Sequence, residues 1–363
     1  MRILVTYNAR YETCEGSFFA SALEQIGHEV IVANAAAVSA VRAERSLCVQ
    51  GWPGDVSIDV LQDVCGPLDL FLYFEGSDLV PRGLERSPME TVCLLSDTHR
   101  NPEAHRTLGL LFDHVVVYHR NHAQAFVGRA PGSVHWVPYA CDTNTFRDLG
   151  LTRDIDVGFV GRLYTRERRR VIPEIARRYR MNEQRYYRPD EIPEVYSRSK
   201  IVVDFPPGDY IPFRVFEAMS CGALLLTRRQ NSGQGDMFTE GEHYETFEND
   251  DELFAKLDFY LTHESERARI AASGHREIRE RHSLTQRVTV MLETVQAAVR
   301  FAAPLRSMSQ SEVRRVYGSV YERCGSIDVL LKIAAEHRGD TLARAQLLCY
   351  AVKSFCRRTI LGW

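Results

Sequence analysis

The sequence predicts an α/β protein: two doubly wound domains with parallel sheets, followed by a helical extension. Three observations carry this expectation. Short β-branched runs alternate with helical stretches through the first part of the chain, the pattern of βαβ units. An irregular polar stretch without hydrophobic period then interrupts it, and the alternation restarts at Ile155. With 363 residues, 45% of them hydrophobic, the chain can build two cores of ordinary size. The expected domains are residues 1–150, residues 151–303 and an extension over residues 304–363.

In chain order, Ile3-Leu4-Val5 is the first strand, Gly16 to Ile26 the first helix, ended by Gly27, and Glu29 to Ala33 the second strand. Further strands are expected at Asp69 to Phe74, Val92 to Leu95, Val115 to Tyr118 and Val134 to Val137; Val38 to Pro67 shows no assignable period. The hinge is placed near Arg147 to Arg153, and Ile155 to Val160 opens a second sheet. Asp190 to Ser197 reads as a short helix. Ile201-Val202-Val203 is a buried strand, and Pro206-Pro207-Gly208 a turn. Pro212 suits the first position of the next helix and Gly222 its end, before a strand over Ala223 to Leu226. His243 to Phe247 is a late strand; Asp250 to Leu261, Glu264 to Arg281 and Leu284 to Phe301 are helices. The extension shows helical patterns at Glu312 to Arg323, Ile327 to Glu336 and Leu342 to Phe355.

The net charge of -3 counts against a dedicated nucleic-acid binder. Nine cysteines without C-x-x-C or zinc spacing read as reduced, buried thiols of a cytoplasmic protein. The chain enters a strand at once, so no signal peptide is expected, and no apolar run approaches membrane-spanning length.

The stretch from Lys200 to Arg228 holds the main candidates. Arg214 and Glu217 fall on one helical face, with Arg214 in the first turn, where it adds a cation to an N-terminus already suited to a phosphorylated ligand. Glu217 can accept two hydroxyl hydrogen bonds, as a ribose diol offers. A surface Arg–Glu pair would account for the same two residues. The spacing from Asp209 to Glu217, continued by Ala218-Met219-Ser220-Cys221-Gly222, resembles the donor-nucleotide motif of GT-B glycosyltransferases. Arg214-Val215-Phe216-Glu217-Ala218 is similar to the group 1 branch related to spore-maturation (CgeB-like) proteins. Asp209 stands where many relatives have Glu, and Pro212 where they have glycine.

The resemblance implies a GT-B fold, with two Rossmann-like domains facing across a cleft. It implies hexosyl transfer from a nucleotide sugar such as a UDP- or GDP-sugar, without another cofactor, to a glycan, protein or small-molecule acceptor. Arg214, Val215, Phe216 and Glu217 would hold the donor, and the acidic pair Asp209/Glu217 goes with retention of anomeric configuration. Val137-Pro138-Tyr139-Ala140-Cys141-Asp142 and Phe146 resemble the family's interdomain crossing.

Gly161-Arg162 follows a strand and begins a basic segment containing Arg168, Arg169, Arg177, Arg178 and Arg180. Gly161 would let the backbone approach a phosphate, and Arg162, then Arg168 and Arg169, would neutralise a departing diphosphate. With no Asp-x-Asp at a strand end, these cations would replace a metal ion. The remaining arginines suit a solvated face, and a nucleic-acid stripe is the rival reading. Asp97 and His99, directly after a strand, are placed either as general base or as acceptor-hydroxyl ligands; a helix cap accounts equally well for Asp97. Gly16 lies in a loop similar to the glycine loop of the family, although a plain strand-to-helix turn explains it as well. His119 and His122 are expected at a solvated helix start, with no metal. Two other functions fit the architecture: a nucleotide-sugar epimerase, and a non-catalytic nucleotide-sugar or nucleic-acid binding protein. Residues 304–363 are expected to pack on the catalytic domains, to self-associate, or to meet a membrane surface.

Overall fold

The computed structural model describes residues 1–8, 14–34, 46–48, 56–77, 80–126, 133–206, 208–230, 233–298, 304–323, 327–336 and 339–361. The chain divides into two compact units, one made of Met1–Val137 with Val290–Trp363, the other of Pro138–Thr289. The division therefore falls at Val137 and at Thr289, not near residues 150 and 303. Pro138 to Phe146, read as linker, is tied into the second unit: Cys141 N donates to the His282 carbonyl at 3.2 Å and Phe146 is buried.

The first unit holds a parallel sheet of β1 (Arg2–Thr6), β2 (Glu29–Asn34), β3 (Ser46–Cys48), β4 (Leu70–Phe74), β5 (Glu90–Leu95), β6 (His114–Val117) and β7 (Ser133–Trp136). Their order is β3-β2-β1-β4-β5-β6-β7. Strands such as Leu-Phe-Leu-Tyr-Phe of β4 are buried at every position, as a parallel sheet covered on both faces demands. The order reverses between β1 and β4, the switch point where such sheets hold ligands beyond the carboxyl ends of their strands. Helices α1 (Glu15–Gln25), α2 (Ile58–Cys65) and α3 (Pro102–Gly109) complete this part. The unassigned stretch from Val38 to Pro67 supplies β3 and α2, the latter capped by Ser57 Oγ, which accepts from Val60 N at 3.2 Å.

The second unit has a smaller parallel sheet, β11-β10-β9-β8, of β8 (Ile155–Gly158), β9 (Ser199–Asp204), β10 (Leu224–Arg228) and β11 (Glu245–Phe247). Its helices are α4 (Arg166–Arg178), α5 (Ile192–Arg198), α6 (Phe213–Ser220), α7 (Asp250–Thr262) and α8 (Glu264–Arg281). Val157, Phe159, Ile175, Val203, Leu226 and Leu253 form the core between sheet and helices. Pro212 is the N-cap of α6, with extended backbone (φ -77, ψ 161), one position before the helix proper. Its ring fixes φ but ψ is free, so it sets the entry and not the first turn. Gly222 follows the cap at φ +72, and a Cβ there would meet Arg153 Nη2 and Asp148 Oδ2 at 2.8 Å.

Helix α9 (Leu284–Ala297) carries the chain back, and α10 (Gln310–Arg323), α11 (Ile327–Glu336) and α12 (Thr341–Leu361) belong to the first unit. Leu305, Tyr317, Val320, Tyr321, Leu330 and Leu347 enter the same core as Phe71, Cys93 and Phe112 of the sheet layer. Tyr317 Oη accepts from Leu84 N at 3.0 Å, Tyr321 Oη donates to the Val80 carbonyl at 2.9 Å, and Arg306 pairs with Asp113 at 3.0 Å.

Candidate functional site

In the second unit, the carboxyl ends of β8 and β9 meet the start of α6. Arg214, in the first turn of α6, turns inward. Its guanidinium pairs with Asp204, the last residue of β9 and fully buried, and donates through Nε to the Val160 carbonyl at 3.0 Å. It also lies over the Phe159 ring, 4.9 Å from its centroid. Burial works against the Arg214 charge, but Asp204, Tyr196 and Glu217 outweigh it and hold the group above its ordinary value. Arg214 is thus an internal strut paired with Asp204, where the sequence reading has it as a first-turn cation for a phosphorylated ligand.

Arg168 is buried beside it. Its Nε donates to the Phe205 carbonyl at 2.9 Å and its Nη1 to the Arg162 carbonyl at 3.1 Å, with the Phe159 ring 5.4 Å away. Burial and the neighbouring Arg214 charge push it below the usual guanidinium value. Two guanidiniums and the acids Asp204 and Glu217 thus form one charged group here. Gly161 is required by packing: a Cβ would stand 2.7 Å from Arg214 Nη2 and 3.1 Å from the Phe159 ring. Arg162 is exposed, and no described residue bonds its side chain. It borders a pocket of about 440 Å³ shared with Val160, Leu163, Gln184, Tyr186 and Tyr187. Arg169 is exposed and donates to the Tyr164 carbonyl at 2.9 Å.

Glu217 lies one turn beyond Arg214, half-buried. Among the described residues nothing donates to its carboxylate. Burial pushes its pKa up to about 7, against the pull of Arg214. Val215 and Phe216 are fully buried, so their side chains back the helix and face no ligand. Asp209 is exposed in the loop before α6. Arg170 pairs with Asp250, Arg177 and Arg178 pair with Glu174, and Arg180 donates to the Asp154 carbonyl at 3.0 Å. The far end of the basic segment is an ion-paired surface.

A second constellation sits at the carboxyl edge of the first unit's sheet. Glu75, just after β4, accepts from Ser96 Oγ at 2.8 Å and Asp97 N at 2.9 Å, and pairs with His105 Nε2 at 3.0 Å. Burial alone would raise its pKa; the His105 contact and these donors hold it at about 2. Asp97 is half-exposed and pairs with Arg100 at 3.3 Å. His99 is exposed, its ring stacked 5.4 Å from that of His122. His119 and His122 are buried, not at a solvated helix start; burial, with repulsion from His122 and His99, lowers His119 to about 3, and burial, with repulsion from His99 and His105, lowers His122 to about 4. Glu15 opens α1 nearby. Burial, with the charges of Glu75 and Asp97, raises its pKa to about 7, and its Oε1 is enclosed without a hydrogen-bond partner. Gly16 is explained by Tyr7, whose side chain a Cβ would overlap at 2.2 Å. Among the described residues, no group of three or more His, Cys, Asp or Glu side chains could hold a metal ion.

Three important residues were not singled out from sequence: Asp204, Glu75 and Glu15. Each carries a signal in hindsight, an acid at or just beyond the carboxyl end of a strand or at the first turn of the following helix, where a parallel sheet collects its polar groups.

Residues 145–293 match a family described as glycosyl transferase-like. Among solved structures the chain is similar to sucrose-phosphate synthase from Thermosynechococcus elongatus, at TM-score 0.61 and 12% identity over 81% of this chain and 98% of that one. It is also similar to Anabaena HepE in complex with UDP and glucose, at TM-score 0.60 and 14% identity over 82% of this chain and 100% of the other. An α-glucosyltransferase in complex with UDP-glucose and DNA containing an abasic site gives TM-score 0.59 and 12% identity over 82% and 99% of the two chains. No curated protein sequence matches the chain.

Proposed function

We propose that this chain, which has the GT-B fold and a glycosyl transferase-like region over residues 145–293, transfers a hexose from a nucleotide sugar to a hydroxyl acceptor. The observation that carries the reading is Glu217. It is an acid to which no described residue donates, on the helix that follows β9, suited to the two hydroxyls of a ribose. Arg162, exposed at the pocket rim with Arg168 behind it, suits the diphosphate, which becomes the leaving group and gains stabilisation as the glycosidic bond breaks. The pocket bordered by Tyr186 and Tyr187 offers aromatic faces to a nucleobase. UDP is the first nucleotide to try, because similarly folded proteins were solved with it. The Arg214 to Ala218 motif supports the spore-maturation branch.

Within this proposal protein cations do the work of a metal ion, so turnover should survive a chelator. Asp209/Glu217 goes with retention, read from the anomeric configuration of the product by NMR. In the first unit, Asp97 and His99 would bind acceptor hydroxyls, with Glu75 fixing the turn that carries them.

The test is calorimetric titration of UDP into the protein and into Glu217→Ala. Loss of the ribose contacts should weaken binding by about 1.5–3 kcal/mol, with the variant still folded and melting cooperatively. Equal affinity for the two proteins would remove Glu217 from the site. With UDP-glucose, a changed but untransferred sugar would point to an epimerase instead.

A further inference from the structure

Helix α12 belongs to the first unit and is its last element. Ala343, Leu347, Ala351 and Ser354 are buried and fix one side of the helix on the unit. At 100° per residue, Leu342, Ala345, Cys349 and Val352 fall within about 80° of arc on the opposite side. All four are exposed: Leu342 at 72% and Val352 at 61% are among the most exposed large apolar side chains of the described chain. Leu348 extends the stripe at its border. The helix surface at this stripe therefore holds apolar groups in water over three turns, although a polar side chain would serve packing equally well.

Charge decides between occupants. Arg344 and Lys353, both exposed, flank the stripe on its two sides. From Thr341 onward the sequence contains Arg344, Lys353, Arg357 and Arg358 and no Asp or Glu. Two copies of so uniformly basic a helix would repel each other along a shared seam, in parallel or antiparallel alignment. An anionic surface would attract it. No helix among the described residues is long and apolar enough to cross a membrane, so α12 would lie on the surface and not through it.

The geometry points to α12 as an interfacial anchor, which sinks the Leu342–Val352 stripe into the headgroup region of an anionic lipid surface while Arg344 and Lys353 meet the headgroups. Neither half suffices alone: a few apolar side chains give shallow insertion, and a few charges give attraction that salt screens.

The experiment is co-sedimentation of the full chain with phosphatidylcholine vesicles and with vesicles in which phosphatidylglycerol replaces part of the phosphatidylcholine. Light scattering in solution reports the oligomeric state, and melting curves confirm that each variant is folded. Binding is expected to the anionic vesicles only and to weaken as salt rises. Leu342→Asp/Val352→Asp should abolish it. Arg344→Glu/Lys353→Glu should weaken it on the order of tenfold or more. Three results would overturn the inference: no sedimentation with anionic vesicles, undiminished sedimentation of the folded Leu342/Val352 variant, or a solution dimer that this variant dissociates without any lipid binding. The readout does not depend on nucleotide binding, so it stands apart from the glycosyltransferase reading.

Discussion

At the scale of single residues, Arg214 and Arg162 divide tasks that the sequence assigned to both. Arg214 neutralises a fully buried Asp204, so its removal leaves a carboxylate in the interior without its counter-charge. Arg214→Ala should destabilise the protein by about 3–5 kcal/mol, seen as a large fall in melting temperature, and any loss of nucleotide binding should follow unfolding. Glu217 makes the opposite kind of prediction. Its folded-state pKa of about 7 lies above the usual 4.5, so the folded protein holds this proton longer than the unfolded chain. Stability therefore falls as pH rises from 4.5 to about 7. Glu217→Gln removes that term: denaturant unfolding should find it more stable than the parent above pH 7, by on the order of 2 kcal/mol, and equal to it in acid. An identical pH profile for the two proteins would show that the carboxyl is ordinarily solvated.

At the scale of elements, the basic segment separates into a first turn aimed at the site and a tail of ion pairs. Arg162→Ala should cut UDP-glucose turnover by tenfold or more, the order of one lost contact to a developing charge. The Arg177/Arg178/Arg180→Ala triple variant should turn over normally, because those side chains are already engaged with Glu174 and Asp154. Tight, salt-sensitive nucleic-acid binding lost only in the triple variant would restore the nucleic-acid reading. The strands and most helices were legible because a parallel sheet buries both faces, and runs such as Ile201-Val202-Val203 have no other home. Short elements were not: α2 keeps helical spacing in its buried Ile58, Leu61 and Cys65, but over eight residues that is only two turns, too short to stand out. Nor were the buried pairs. Asp204 and Arg214 are ten positions apart, and Asp113 and Arg306 are separated by 193, so only tertiary structure reveals that they meet. The arginine-to-glutamate spacing in α6 carried no sign that Arg214 turns inward onto Asp204.

At the scale of the whole chain, the last sixty or so positions are part of a core and not an appendage. Leu305, Tyr317, Tyr321 and Leu330 share one apolar cluster with Phe71 and Phe112. Deleting residues 304–363 should therefore unfold the first unit while residues 138–289 keep their protection, a pattern that hydrogen exchange followed by mass spectrometry would resolve. Selective survival of the first unit would mean that its sheet is stable with helices α10 to α12 removed. The interruption of the first unit by the second also fixes an order of events on the ribosome. Every residue of the second unit has been made while the first still lacks Val290 and all that follows. The second unit can close on itself early; the first has all seven strands by Trp136 but must wait, that sheet still missing part of its cover, until helices α10 to α12 emerge. Chaperone dependence during synthesis should accordingly track the first unit, and a slow-folding mutation there should raise it more than the same defect in the second unit, which is complete before Val290 is made.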